Sequence, residues 1–307
     1  MDISVVVPVY GCREAIPELY SRLCKTLEQI VDTFEIILVD DCCPYGSWEE
    51  IKKICEIDKR VMGLHMSRNF GQIKAITAGL DNCSGDWVVV MDCDLQDRPE
   101  GIIDLYNKAQ EGYDVVFARR LDRVDKGITK FLSHAFYKVY DYFTDGKFDN
   151  SICNFSISKR KVIQSYCQMR EQKRAYTLFL RWLGYNQTAI DVKADARFAG
   201  ESSYNFKRKI NMAFDFITSQ SVKPLHFAIK IGFTISFISL IYIIYLIVRY
   251  FQGGVYTGWT STIASIYLMG GLILAAVGVV GIYVGNIFEE SKGRPLYVIS
   301  EYMNKEN

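Results

Sequence analysis

The 307-residue chain has no Cys-x-x-Cys pair, and its three histidines, His65, His134 and His226, are widely scattered, so no zinc site is suggested. Its nine cysteines fall between Cys12 and Cys167 without a paired spacing. That speaks against a disulfide framework and predicts free thiols in a reducing compartment. An excess of either charge is also missing. With a net charge of +1 and 23% charged residues, the chain lacks the electrostatic footprint of a nucleic-acid binder, and it has no acidic tail. No G-x-G-x-x-G follows the first apolar run and no G-x-x-x-x-G-K-[ST] occurs, which removes the central feature of a dehydrogenase or P-loop reading. Any phosphate charge must be met by a metal and by cationic side chains. The N-terminus, MDISVVVPVY, has no basic segment and runs at once into a short apolar stretch, so no cleaved signal peptide is expected.

The length suits one domain of roughly 200 residues plus an appendage. Residues Ile231 to Val248 carry no charge, and 18 helical residues span roughly 27 Å, close to the hydrocarbon thickness of a bilayer. From Tyr250 to Phe288 there is again no Asp, Glu, Lys or Arg. Gln252-Gly253-Gly254 and Tyr256-Thr257-Gly258-Trp259 read as a turn with an interfacial aromatic pair, followed by a second helix. Small residues recur in that helix (Gly270, Gly271, Ala275, Ala276, Gly278), which permits close helix approach. Lys223 and Lys230 precede the pair, and Lys292 and Arg294 follow it. Two spans with both termini cytoplasmic are therefore expected. Upstream, Asn205-Phe206-Lys207-Arg208-Lys209 leads into Met212, Phe214, Phe216 and Ile217, a pattern suited to a helix lying in the headgroup layer, with an ordinary surface helix as the alternative.

In the first 120 residues, Ile3 to Val9, Phe34 to Val39, Trp87 to Met91 and Tyr113 to Phe117 are strand-like runs separated by amphipathic segments. Such alternation predicts a mostly parallel, doubly wound α/β sheet. Ligands in that architecture sit beyond the carboxyl ends of the strands. The first run ends at Tyr10, the second at Asp40-Asp41, and the run from Trp87 ends in Asp92-Cys93-Asp94-Leu95-Gln96-Asp97. Asp92 and Asp94 are two residues apart, so extended backbone aims both carboxylates to one side. One or two carboxylates, with substrate phosphates completing the shell, are how Mg²⁺ is commonly held, and Mn²⁺ serves as well. A solvated acidic loop capping the next helix is the alternative reading of the same residues.

The segments Val7-Pro8-Val9-Tyr10, Val39-Asp40-Asp41, Ser67-Arg68-Asn69-Phe70-Gly71, Thr77-Ala78-Gly79-Leu80 and Asp92 through Glu100 together resemble the family 2 glycosyltransferases, in the branch of bactoprenol glucosyltransferases and dolichyl-phosphate mannose synthases. Arg197-Phe-Ala-Gly200, Ser221-Val-Lys-Pro224-Leu225 and the tail Glu289-Glu290-Ser-Lys-Gly293-Arg294-Pro295 extend the resemblance over nearly the whole chain. It implies a GT-A (Rossmann-like) catalytic domain at 1–204, an interfacial region at 205–226, two transmembrane helices within 227–288 and a cytoplasmic tail at 289–307. It also implies an inverting mechanism with Mg²⁺ or Mn²⁺ held by Asp92, Asp94 and Gln96. Pro8, Tyr10 and Asp41 would line the nucleotide-base pocket with Asp40 beside them. Arg119 would hold the lipid phosphate, Arg197 would reach the diphosphate, and Asp97 would orient or act as a base. The implied partners are a nucleotide-sugar donor, a polyprenyl-phosphate acceptor and the cell membrane, with a homotetramer as the assembly. The implied reaction moves one sugar, glucose from UDP-glucose first and another nucleotide sugar as the alternative. Where many relatives read Gly-Asp-Phe-Arg, this chain has Cys153-Asn154-Phe155-Ser156, which removes one carboxylate and one cation and leaves the sugar open.

A lipid phosphate monoester, with its second pKa near ~6, is already an anion at neutral pH, so a strong general base is dispensable. Anchoring makes acceptor capture a two-dimensional search. A processive polysaccharide synthase would carry a Gln-x-x-Arg-Trp motif, but Arg181-Trp182 here follows Thr177-Leu178-Phe179-Leu180 without the glutamine. The intact Asp-x-Asp-x-Gln set speaks against a non-catalytic scaffold.

Overall fold

The computed structural model describes residues 1–120, 152–192, 218, 221–252 and 258–305. Arg197 and the basic-apolar segment 205–217 lie outside the described residues. The chain divides into two compact units, one holding the sheet and the tail from Arg294 onward, the other holding the two long apolar helices.

The sheet unit contains β1 (Ile3–Val9), β2 (Phe34–Asp40), β3 (Val61–Met66), β4 (Trp87–Val90), β5 (Val115–Arg120), β6 (Ile152–Lys159), β7 (Gln187–Val192) and β8 (Ile299–Met303). Their order across the sheet is β7-β5-β6-β4-β1-β2-β3-β8. The pairs β1/β2, β1/β4, β2/β3 and β5/β7 are parallel, whereas β6 runs antiparallel to β4 and β5, and β8 antiparallel to β3.

Every residue of β1 and β2 is buried. The physical reason is helical cover on both faces, which is why these strands read as mainly apolar runs, broken only by Ser4, Glu35 and Asp40, instead of alternating ones. Val5, Val7 and Val9 of β1 pack on one face with Leu19 and Leu23 of α1 (Ile16–Leu27), Ile51 of α2 (Ser47–Ile57) and Leu105 of α4 (Gly101–Gln110). Val6 points to the other face, with Ala75 and Ile76 of α3 (Gln72–Asn82), Ile163 of α5 (Arg160–Gln168) and Phe179 of α6 (Tyr176–Trp182).

The four strand-like runs read from the sequence are β1, β2, β4 and β5. The other four strands are less apolar: β3 carries Gly63 and His65, and β8 is short and largely exposed. Gly63 is required by space, since a Cβ there would sit 2.9 Å from Ile51 Cγ2 and 3.1 Å from the Trp48 ring.

In the second unit, α7 (Lys223–Phe251) and α8 (Trp259–Ser291) are apolar along their length. Within them, Lys223–Tyr242 and Ser265–Ser291 are long and apolar enough to cross a bilayer. Phe233, Tyr267 and Leu274 are each more than 70% exposed, and apolar cover of that extent calls for lipid or another apolar partner. Tyr283 and Asn286 of α8 donate to the carbonyls of Ser221 and Thr218. Arg249, in the last turn of α7, is a charge on the loop side that the flanking-residue pattern left out.

Gly79 marks the closest approach of α3 to the sheet. A Cβ at this position would lie 2.3 Å from Val6 Cγ1. Gly79→Ala is expected to lower stability by about 1–3 kcal/mol through overpacking, read as a drop in the denaturation midpoint; an unchanged midpoint would show that the helix can retreat freely.

Candidate active site

Parallel strands deliver their carboxyl ends to one edge of the sheet, and the acidic segments lie there. Beyond β4, Met91 N–H still donates to the Val6 carbonyl at 3.2 Å, so Asp92 leaves the sheet in extended register beside β1. Three residues later the chain turns sharply at Leu95, whose φ of 57° is in the left-handed region and whose side chain is buried in the core. Non-glycine residues in this region occur mainly where the surroundings hold them. The buried leucine is therefore the peg on which the Asp92–Asp97 loop turns. Asp94 Oδ1 accepts the Gln96 N–H at 3.1 Å.

This loop carries three carboxylates, Asp92, Asp94 and Asp97. Asp92 is half-buried, and its carboxyl is pushed up to about 6, first by burial and then by the charges of Asp97 and Asp94. Gln72, the first residue of α3, donates to Asp92 Oδ1 at 2.7 Å, and the Asn154 side chain is hydrogen-bonded to it as well. At position 154 the amide thus supports Asp92, where a carboxylate would add to the repulsion. Asp97 is almost fully buried and its pKa is also raised by burial, against the pull of Arg120. Arg120 binds it through Nε to Oδ1 at 3.0 Å and Nη2 to Oδ2 at 2.7 Å, with Nη1 3.4 Å from Gln96 Oε1.

The arginine facing the carboxylates is therefore Arg120. Arg119, the residue singled out in the sequence, turns to β7 and pairs with Asp191 at 2.5 Å, both side chains well exposed. Strand parity was the missed signal. Arg120 follows Val116 and Ala118, which pack on the same side as Leu95 and Cys93, whereas Arg119 follows Val115 and Phe117 on the opposite side.

The cysteines require a correction. Cys12, just past β1, and Cys93, between the two aspartates, form a disulfide with Cα atoms 6.3 Å apart; the other seven are free. The 81-residue separation hides the pair in the sequence. Its cause is the β1/β4 pairing, which brings the two strand ends side by side.

At the end of β2, Asp41 is buried and its two oxygens accept the N–H groups of Phe70 (2.7 Å) and Gly71 (2.9 Å). This ties the Ser67–Gly71 segment to the strand end. Asp40 is fully buried, with His65 Nδ1 at 2.7 Å and Cys43 N at 3.4 Å. Burial raises the pKa of both carboxyls. Pro8 is buried within β1, and Tyr10, just beyond it, is half exposed. A cavity of about 360 Å³ opens against Asp97, bounded by Glu100, Gly101, Asp104, Phe155 and Asp191.

Among the described residues, no three acidic, histidine or cysteine groups converge as a ready-made metal cage. Gln96 Oε1 is directed to Arg120. Asp92 and Asp94 nevertheless fit a hard divalent cation that takes few protein ligands and completes its shell with phosphate and water. Burial first, and then the charges of Asp97 and Asp94, hold the Asp92 carboxyl up in the absence of a cation.

The α/β sheet with acidic loops along its carboxyl edge has the GT-A fold. The solved glucosyl-3-phosphoglycerate synthase of Mycobacterium tuberculosis, crystallised with Mn²⁺, UDP and phosphoglyceric acid, is similar in fold, with a TM-score of 0.52 at 16% identity over 71% of this chain and 76% of that one. The chain belongs to glycosyl transferase family 2, whose profile matches residues 4–167. It is 34% identical to the bactoprenol glucosyl transferase of Shigella phage SfV over 99% of this chain and all of that protein. It is also 31% identical to the undecaprenyl-phosphate 4-deoxy-4-formamido-L-arabinose transferase of Proteus mirabilis, over 97% of this chain and 93% of that protein.

Two outcomes test this geometry without any substrate. Arg120→Ala leaves Asp97 buried without its partner and should cost about 3–5 kcal/mol, whereas Arg119→Ala breaks an exposed pair and should cost under about 1 kcal/mol. Equal losses in denaturant melts would refute the assignment. The second outcome concerns pH. Because the folded-state pKa of Asp92 lies above its unfolded value, the folded chain holds a proton that the unfolded chain releases between about pH 4 and 6. Its contribution to stability therefore declines as pH rises through that window. In metal-free protein Asp92→Asn should remove this decline; parallel pH profiles for the two proteins would contradict the shift.

Proposed function

We propose that this chain transfers a single sugar, glucose from UDP-glucose first, from a nucleoside diphosphate to a polyprenyl phosphate at the cytoplasmic face of the membrane. The observation that carries the reading is the cluster of Asp92, Asp94, Asp97 and Arg120 at the carboxyl edge of the sheet, in a family 2 chain that also has two apolar helices. Support for the acceptor comes from relatives aligned along the whole chain, helices included, that are named for bactoprenol and undecaprenyl phosphate. The second of these carries an amino-sugar derivative, which keeps another nucleotide sugar as the alternative donor.

In this reading Asp92 and Asp94 hold the Mg²⁺ or Mn²⁺, which would supply Lewis-acid charge to the departing diphosphate. Pro8, Tyr10 and Asp41 shape the base pocket. The acceptor phosphate attacks the anomeric carbon in line and inverts it, with its own charge making a strong base unnecessary. Asp97, engaged by Arg120 through both oxygens, orients that guanidinium instead of removing a proton. Arg119 stays the residue for the lipid phosphate, with Arg120, whose guanidinium Asp97 holds, as a second candidate; Arg197 is the candidate for the diphosphate.

The sheet bears on sidedness. The pairing of β8, which follows α8 in the chain, with β3 supports a reading in which the chain before and after the two helices lies on one side of the membrane. Lys223, Lys230, Lys292 and Arg294 favour the cytoplasm for that side. A homotetramer is the assembly this reading carries.

Purified protein incubated with Mg²⁺, undecaprenyl phosphate and a panel of nucleotide sugars should yield a lipid heavier by one sugar, read by mass spectrometry. Asp94→Ala should lower turnover by a factor on the order of 10² or more while leaving the melting temperature near that of the unaltered protein. Full activity in that variant would remove the metal from the mechanism, and a polymeric product would replace the single transfer.

A further inference from the structure

Outside the Asp92–Asp97 loop, a series of polar contacts runs from the sheet edge inward to the end of β2. Glu301 of β8 accepts the indole N–H of Trp48 at 3.0 Å. The Trp48 ring, on α2, stacks on the His65 imidazole of β3 with centroids 5.0 Å apart and planes 22° from parallel. His65 Nδ1 lies 2.7 Å from Asp40 Oδ2, and the carboxylate as acceptor assigns the proton to Nδ1. Asp40 has no exposed surface, so it cannot touch a ligand. Its neighbour Asp41, by contrast, fixes the Phe70-Gly71 backbone with both carboxylate oxygens.

A buried carboxylate is costly unless it is bonded. Here the bonds come from a histidine whose ring is itself held by stacking on a tryptophan and, through that tryptophan, by β8. Four separate elements, β8, α2, β3 and β2, thus converge on one peptide at the ligand-facing edge of the sheet. An edge strand needed only to cover β3 would require none of these polar side chains.

We infer that Glu301, Trp48 and His65 are positioning residues for the donor-nucleotide pocket: they fix Asp40, and through the 40–41 peptide the orientation of Asp41 and its loop, so that nucleotide affinity depends on the C-terminal strand. The inference rests on the proposed use of this edge as the base pocket.

The test is UDP binding, measured by titration calorimetry on the full chain in detergent with Mn²⁺, beside melting temperatures. His65→Leu and Glu301→Leu should each weaken UDP binding by about tenfold, the scale of a lost bond to a charged group. His65→Asn, whose amide can take the place of Nδ1, and Glu301→Gln, which keeps an acceptor for the indole, should restore most of it. Asn304→Ala supplies the structural control. It removes three bonds that fasten the end of β8 to the carbonyls of Cys55, Asp58 and Val61 and should lower the melting temperature while leaving UDP affinity unchanged. Wild-type affinity in both leucine variants, or a loss in Asn304→Ala equal to that in Glu301→Leu, would overturn the inference alone. Absence of UDP binding by the unaltered protein would overturn the functional reading and this inference with it.

Discussion

Carboxylates removed from water repel one another unless a cation or a donor answers them, and the carboxyl edge of this sheet is organised around that requirement. Asp97 is met by Arg120, Asp92 by the amides of Gln72 and Asn154, and Asp41 by two backbone N–H groups. Each answer is supplied from a different element, so the loops at this edge are held by the charges they carry. Asp92 retains a raised pKa after its amides are counted.

Much of this organisation was legible in the residues. Mainly apolar runs such as Ile3–Val9 marked strands covered on both faces, and acids at their ends marked the edge where ligands gather in parallel sheets. What stayed hidden depends on three-dimensional neighbours. The choice between Arg119 and Arg120 turns on one step of strand parity, which adjacent identical residues conceal. The Cys12–Cys93 bond exists because β1 and β4 are adjacent in the sheet, a fact that residue spacing does not carry. Asn154 reads as the loss of a carboxylate along the chain, yet in space it is a donor to Asp92. β8 was missed because a short, exposed strand has little hydrophobic pattern to detect.

The two units divide the work that a lipid acceptor demands. A polyprenyl tail is insoluble in water and a nucleotide sugar is insoluble in hydrocarbon, so only the phosphate can meet the donor. An enzyme joining them needs a polar edge for one and an apolar anchor for the other. Under the proposed reading, the carboxyl edge of the sheet and the two apolar helices supply these parts.

The place of β8 in the sheet also sets an order of events during synthesis. Among the described strands, Ile299–Met303 is made after the other seven and after both long helices. Until then the outer rim of β3 exposes unpaired backbone groups, a template for mispairing with other chains. The sheet therefore closes only after both helices have been made, and a chain whose helices stall at the insertion machinery keeps that rim open for as long as the stall lasts.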